Sequence, residues 1–253
     1  MKAGPGWESS TARMPPESIR NVRHPWRLTA CVWSGSGRRI TAGHFHDLVH
    51  RLAHALRAQG LERGQTVTLL SGNLSEALAA RYAANLLDCQ VSHLYNKPSA
   101  DTQAAIVRDV ETQALIVDPT YATRAAELTA QAPVLHILTL GVSTLGTDLL
   151  EPPAAESAER LSGLAHPEGI CSIRHTGGTT GHSKGICTSF GRVGRMRPKS
   201  SEEEVDQPRQ LVATTLAHAA GLIADHVPAT GGTVVLLEDF ENCLYAGQPP
   251  AAR

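Results

Sequence analysis

The residues best equipped for chemistry sit in one short run, Thr176-Gly177-Gly178-Thr179-Thr180-Gly181-His182-Ser183-Lys184-Gly185. Glycines let consecutive amides turn inward and approach a ligand without Cβ interference, while threonine hydroxyls and a lysine ammonium add donors. That is the inventory a phosphate needs. The spacing differs from a Walker loop, which wants Gly-Lys-Ser/Thr opening a helix, because Lys184 follows Ser183 and precedes Gly185. It also differs from Gly-x-Gly-x-x-Gly, since Gly177 and Gly178 are adjacent. An apolar run at 169–173 precedes the loop and another at 186–190 follows it, so the reading is strand, loop, strand. The ligand this predicts is a nucleotide.

Such a loop has to be delivered by a sheet, and the preceding chain supplies one. A first strand is expected at 29–33, then a helix over 42–59 closed by Gly60. In that helix Phe45, Leu48, Val49, Leu52, Ala55 and Leu56 recur at a 3.6-residue period. Strand candidates at 65–70, 89–94, 114–117 and 134–140 alternate with helix candidates at 75–87, 101–109 and 121–129. This alternation predicts an α/β fold with a mostly parallel sheet flanked by helices on both faces. Residues 141–167 lose periodicity, with a short helix expected near 155–161. After the loop, the charged run 191–210 reads as a solvent-facing segment with helical parts. A strand is expected at 211–215, a helix at 219–227 broken by Pro228, and a last strand at 233–237.

Composition limits the alternatives. The chain has 253 residues, 42% of them hydrophobic, enough for a large core. Its 23 basic and 24 acidic residues give a formal charge of -1, so charge offers no case for nucleic acid or a membrane as partner. Cys31, Cys89, Cys171, Cys187 and Cys243 show no Cys-x-x-Cys spacing and read as buried thiols of a reducing compartment. Residues 1–27 are expected to be poorly ordered and have neither signal-peptide nor anchor character, which points to the cytoplasm. His46, His50 and His54 recur at four-residue spacing beside Asp47, Arg51 and Arg57. A solvated helix face is the expectation there rather than a metal site, which would need convergent ligands and a second element to close the shell.

The loop resembles the phosphate-binding signature of the adenylate-forming, or AMP-binding, enzyme superfamily of acyl- and aryl-CoA ligases, adenylation domains and luciferases. The family form runs Thr-Ser/Gly-Gly-Thr-Thr-Gly-x-Pro-Lys-Gly; Ser183 stands where proline is usual, and His175 where an aromatic residue is common. Weaker similarities follow in family order. Leu52 to Leu56 with Gly60, Gly64, Val67 and Asn73 resemble the opening helix and strand, Tyr95-Asn96-Lys97-Pro98 the asparagine-proline turn, and 114–119 the strand after it. Residues 214–221 resemble the Pro-Leu-x-His-x-x-Gly segment, with Thr215 at the proline position.

The resemblance implies that Thr176, Gly177, Gly178, Thr179, Thr180, Gly181 and Lys184 hold ATP phosphates, with Lys184 and Thr179 stabilising phosphate charge. It places His218 and Gly221 beside an acyl and nucleotide pocket; from the sequence alone His218 reads equally as a satisfied core histidine. The implied reaction joins a small-molecule carboxylate to ATP with Mg²⁺, giving acyl-adenylate, commonly followed by transfer to coenzyme A. No metal ligand is assigned.

The similarity covers an incomplete AMP-binding domain over 28–240, with an unpatterned tail at 241–253. The family's Gly-x-Thr-Glu and Thr-Gly-Asp segments and its C-terminal lid domain have no match. The expectations are therefore a truncated portion inactive alone, a half-protein completed by another chain, or a non-catalytic scaffold on the same fold. In each, the elements over 211–237 should expose apolar faces and favour self-association.

Overall fold

The protein is described by a computed structural model over residues 31–34, 39–151, 157, 159–176, 184–196, 209–229 and 232–237. Among the described residues, two sheets sandwich a helical layer. Strand β1 (Cys31–Ser34) turns into β2 (Arg39–Thr41), which hands over directly to α1 (Ala42–Ala58). The Thr41 hydroxyl accepts from the His44 amide at 3.3 Å, capping the helix start. Gly60, at φ 83°, closes the other end in the left-handed region that glycine adopts without strain. From there the chain alternates through β3 (Thr66–Leu70), α2 (Ser75–Leu86), β4 (Gln90–His93), α3 (Ala100–Asp109), β5 (Thr112–Val117), α4 (Ala122–Gln131), β6 (His136–Thr139) and a short β7 (Thr147–Asp148).

Strand β8 (Ile170–Thr176) pairs parallel with β4, and β9 (Lys184–Ser189) returns antiparallel along it. The resulting order is β7-β6-β5-β3-β4-β8-β9, parallel throughout except for the last pair. After α5 (Phe190–Met196), strand β10 (Arg209–Val212), α6 (Ala219–Ala229) and β11 (Thr233–Leu236) complete a second sheet of order β10-β11-β1-β2. The sequence-based expectation of a mostly parallel sheet flanked by helices holds.

Helices α1 and α2 fill the space between the sheets. Phe45, Leu52 and Leu56 of α1 and Leu78, Ala80 and Ala84 of α2 share one core with Val67, Leu69, Ala114 and Ile116 of the larger sheet and Val212, Val234 and Leu236 of the smaller. Burying each large aliphatic side chain contributes about 1.5–3 kcal/mol. The alanine-rich face of α2 lets the layers approach closely. On the other face of the larger sheet, α3 and α4 cover Leu70, Leu94, Leu115 and Val117.

Several local expectations change. The histidine face of α1 is not solvated: His50 is 4% exposed, and its Nδ1 accepts from the Leu161 amide at 3.1 Å. His54 Nε2 donates to the Glu159 carbonyl at 2.9 Å. The connection at 159–161 is thus a non-helical strap bonded across α1 where a short helix was expected; residues 152–156 and 158 lie outside the description. Because His50 Nδ1 is an acceptor, its Nε2 carries the hydrogen toward His46 Nε2, 3.1 Å away. That tautomer leaves no Nε2 lone pair on His50 for a metal, which argues against one here.

Cys89 and Cys171 are buried as expected, but Cys187 is exposed because β9 is an edge strand. Burial first, and then Asp88, push the Cys89 thiol up to about 11. Helix α6 runs through Pro228 to Ala229, one residue past the break expected from the sequence. Leu211 and Ile223 are more than half exposed, as are Leu135, Val142, Leu164 and Ile186 elsewhere in the chain.

Candidate functional site

Both ends of the glycine- and threonine-rich loop leave the carboxyl end of β8, the edge at which open parallel sheets present ligand sites. Thr176 and Lys184 face each other as paired residues at the mouth of the β8–β9 hairpin, and both are exposed. The Thr176 hydroxyl reaches the Lys184 carbonyl at 3.5 Å. Gly177, Gly178, Thr179, Thr180 and Gly181 lie outside the described residues, with His182 and Ser183.

Strand register defines what surrounds that mouth. Leu69 is opposite His93, Ser92 opposite Ile173, and Arg174 opposite Ile186, so Leu69, His93, Arg174 and Ile186 form a row across four strands. Leu69 belongs to the core shared with α1 and α2, which fixes the face of the whole row. One row closer to the carboxyl ends stand Ser71, Tyr95, Thr176 and Lys184. His93 Nε2 meets the Ser71 hydroxyl at 3.1 Å. Burial, helped by Arg81 and His218 and opposed by Ser71, lowers the His93 imidazole to about 3. It is therefore neutral at physiological pH.

The segment leading into α6 roofs this crevice. Asn73, in the turn after β3, donates to the Thr214 and Leu237 carbonyls, each at 2.9 Å, and accepts from the Leu216 amide at 3.0 Å. One side chain thereby ties the carboxyl edges of both sheets together. His218 is exposed, with its ring edge-on to Tyr95 at 4.8 Å between centroids. Gly221 is buried, its amide bonded to the His218 carbonyl at 3.0 Å. A Cβ at Gly221 would run into the Leu216 carbonyl and lie 3.0 Å from Arg81 Nη1, so the segment packs as it does only with glycine there. Thus His218 and Gly221 are brought beside Tyr95 and Arg81, with His218 outside the core.

Arg81, buried in α2, forms an ion pair with Asp225 of α6 and reaches the Gly221 carbonyl at 3.4 Å. The Tyr82 hydroxyl donates to the same Asp225 oxygen at 2.7 Å. Burial works against the Arg81 charge, but Asp225 and then Tyr82 outweigh it and its pKa is raised. Burial, followed by Asp225, raises Tyr82 well above the usual phenol range. His175 points the other way, toward Asp109 of α3 at 4.0 Å, with both ring nitrogens unbonded.

Asn73 entered the sequence reading only as part of a resemblance, and Arg81, His93, Arg174 and Asp225 not at all. Their common signal is a charged or hydrogen-bonding residue inside an otherwise apolar strand or helix face. A separate depression of about 470 Å³ lies at the amino-terminal ends of β3, β4 and β5, lined by Arg63, Gln65, Gln90 and Glu111 among others. It is at the wrong edge of the parallel strands for the loop to share. Among the described residues, no group of three or more histidine, cysteine or acidic side chains converges as a metal site.

A family model described as AMP-binding enzyme matches residues 19–248. The chain belongs to this family. A medium/long-chain-fatty-acid–CoA ligase of Mycobacterium tuberculosis is 28% identical over 214 residues, 80% of this chain and 38% of that protein. A 2-succinylbenzoate–CoA ligase of Bacillus subtilis is 26% identical over 93% of this chain and 44% of its own length. The amide bond synthetase McbA of Marinactinospora thermotolerans superposes with a TM-score of 0.73 at 30% identity, covering 87% of this chain and 44% of that one. An anthranilate CoA ligase in complex with anthranoyl-AMP shares the fold at 19% identity and a TM-score of 0.73. This AMP-binding chain spans about 40% of the length of the curated relatives it matches. Among the described residues, no helix is long and apolar enough to cross a membrane.

Proposed function

We propose that this chain is the ATP-binding portion of an adenylate-forming carboxylate ligase. The observation that carries the reading is the opposition of exposed Thr176 and Lys184 at the carboxyl edge of the sheet, at the two ends of the glycine- and threonine-rich loop. In it, amides and hydroxyls of Thr176, Gly177, Gly178, Thr179, Thr180 and Gly181 hold the β- and γ-phosphates, and the Lys184 ammonium neutralises them as pyrophosphate separates. His218 and Gly221 border the acyl and nucleotide pocket. ATP would supply an activated phosphorus to the carboxylate and Mg²⁺ would supply positive charge to its phosphates, with no residue of this chain assigned as a metal ligand. Coenzyme A is the acceptor the reading includes.

On this reading residues 28–240 form part of an AMP-binding domain. These residues bind nucleotide, and turnover needs the remaining length that the relatives carry. A scaffold on the same fold is the second reading, favoured by Ser183 in place of the usual proline. Isothermal titration with Mg-ATP tests the first: Lys184→Ala is expected to weaken binding on the order of tenfold, the loss of one charge-assisted phosphate contact. Equal heats for both proteins would remove Lys184 from the site. No heat from either folded protein would favour the scaffold.

A further inference from the structure

Among the described residues, two arginines and one carboxylate meet beneath the mouth of the loop. Arg81 and Arg174 both face Asp225, the acidic partner of this cluster among the described residues, and Arg81 takes it in a direct ion pair. Tyr82 donates to the same oxygen, so a single carboxylate serves two arginines and a phenol. Arg174 is half-buried, and no hydrogen bond or ion pair engages its guanidinium among the described residues. Beside it in the row stand neutral His93 and apolar Ile186, neither of which offers a negative charge.

A half-buried guanidinium that shares one carboxylate with a second arginine leaves a net positive charge among the described residues, and sequence position makes this one conspicuous. It lies two residues before Thr176 on the same strand face, about 6–7 Å deeper along β8 than the mouth where the loop begins. Burial first and Arg81 second lower the Arg174 pKa, the direction expected of a cation set beside another cation. An arriving carboxylate would restore the balance and could accept two parallel N–H bonds from the planar fork.

We propose that Arg174 is a specificity-determining residue that binds a second carboxylate on the acyl substrate, so that the chain prefers dicarboxylates. This rests on the reading of the site as a carboxylate-activating one. One carboxylate would stay at the reacting end of the pocket bordered by His218 and Gly221, while the other reaches Arg174.

The test is calorimetric titration of the full chain with adipate and with hexanoate, which differ in the distal carboxylate, in the presence of Mg-ATP. Wild type is expected to bind adipate roughly tenfold more tightly, the effect of one charge-assisted pair. Arg174→Gln should erase that preference by weakening adipate alone, and Arg174→Lys should keep part of it. Equal binding of the two acids by wild type, binding of neither, or an undiminished preference in Arg174→Gln would overturn the proposal. Mg-ATP heats recorded first on each sample separate the two claims. ATP binding without an adipate preference defeats the Arg174 proposal alone, whereas loss of ATP binding in wild type defeats the underlying site. Thermal unfolding of each variant checks that the fold is intact.

Discussion

Replacing Asn73 by alanine should loosen the roof of the crevice far more than a surface substitution would. Its amide group makes three bonds, to the Thr214 and Leu237 carbonyls and from the Leu216 amide. The bond to the Leu216 amide is buried, so its donor would be left without a partner at about 1–3 kcal/mol. The two carbonyls are partly accessible, and each would lose about 0.5–1.5 kcal/mol of net bonding. Together these give a destabilisation of roughly 2–6 kcal/mol, a large part of the 5–15 kcal/mol typical of a whole domain. Urea unfolding measures the total, and hydrogen exchange of peptides spanning 211–222 and 232–237 locates it. The Leu216 amide should lose most of its protection while β3 to β5 keep theirs. Gln90→Ala, which removes a single exposed bond to the Gly64 carbonyl, is the control and should cost no more than about 0.5 kcal/mol. A loss below about 1 kcal/mol for Asn73→Ala, with Leu216 still protected, would refute the idea that this side chain joins the sheets.

Two further outcomes follow from the same crevice. His93 is held near 3 when folded against about 6.5 for a free imidazole, so the unfolded chain takes up the proton first. Its contribution is complete above pH 6.5 and declines by up to about 1.4 kcal/mol per pH unit as pH falls toward 3. Urea midpoints from pH 7 to 5 should therefore fall less steeply in His93→Gln than in wild type; parallel slopes would contradict a neutral His93. Gly221→Ala places a methyl against the Leu216 carbonyl and Arg81, and should destabilise by about 1–3 kcal/mol. It should also shift the His218 ring signals in NMR spectra, and an unchanged His218 would mean the segment packs with room to spare.

The larger sheet was legible because its strands are short apolar runs separated by amphipathic helices, and Gly60 marks one boundary by its required conformation. The phosphate-loop candidate was legible as composition, and the β8–β9 pairing is the strand-loop-strand form read from it. What escaped the sequence depends on partners more than a hundred residues away. Arg81 looks like an interruption of an alanine-rich helix until Asp225 is seen beside it. The histidines of α1 read as solvated because nothing local announces that residues 159–161 fold back over them. The division into two sheets was also hidden, since β1 and β11 pair across some two hundred residues of chain.

The central claim is that the loop between β8 and β9 holds nucleotide phosphates. Backbone amide chemical shifts followed during titration with Mg-ATP address it directly. The largest changes are expected at Thr176 and through Gly181 to Lys184, with small changes at Gly64, Gln65 and Glu111 on the opposite edge of the sheet. Shifts confined to that opposite edge, or none at all in a folded sample, would contradict it.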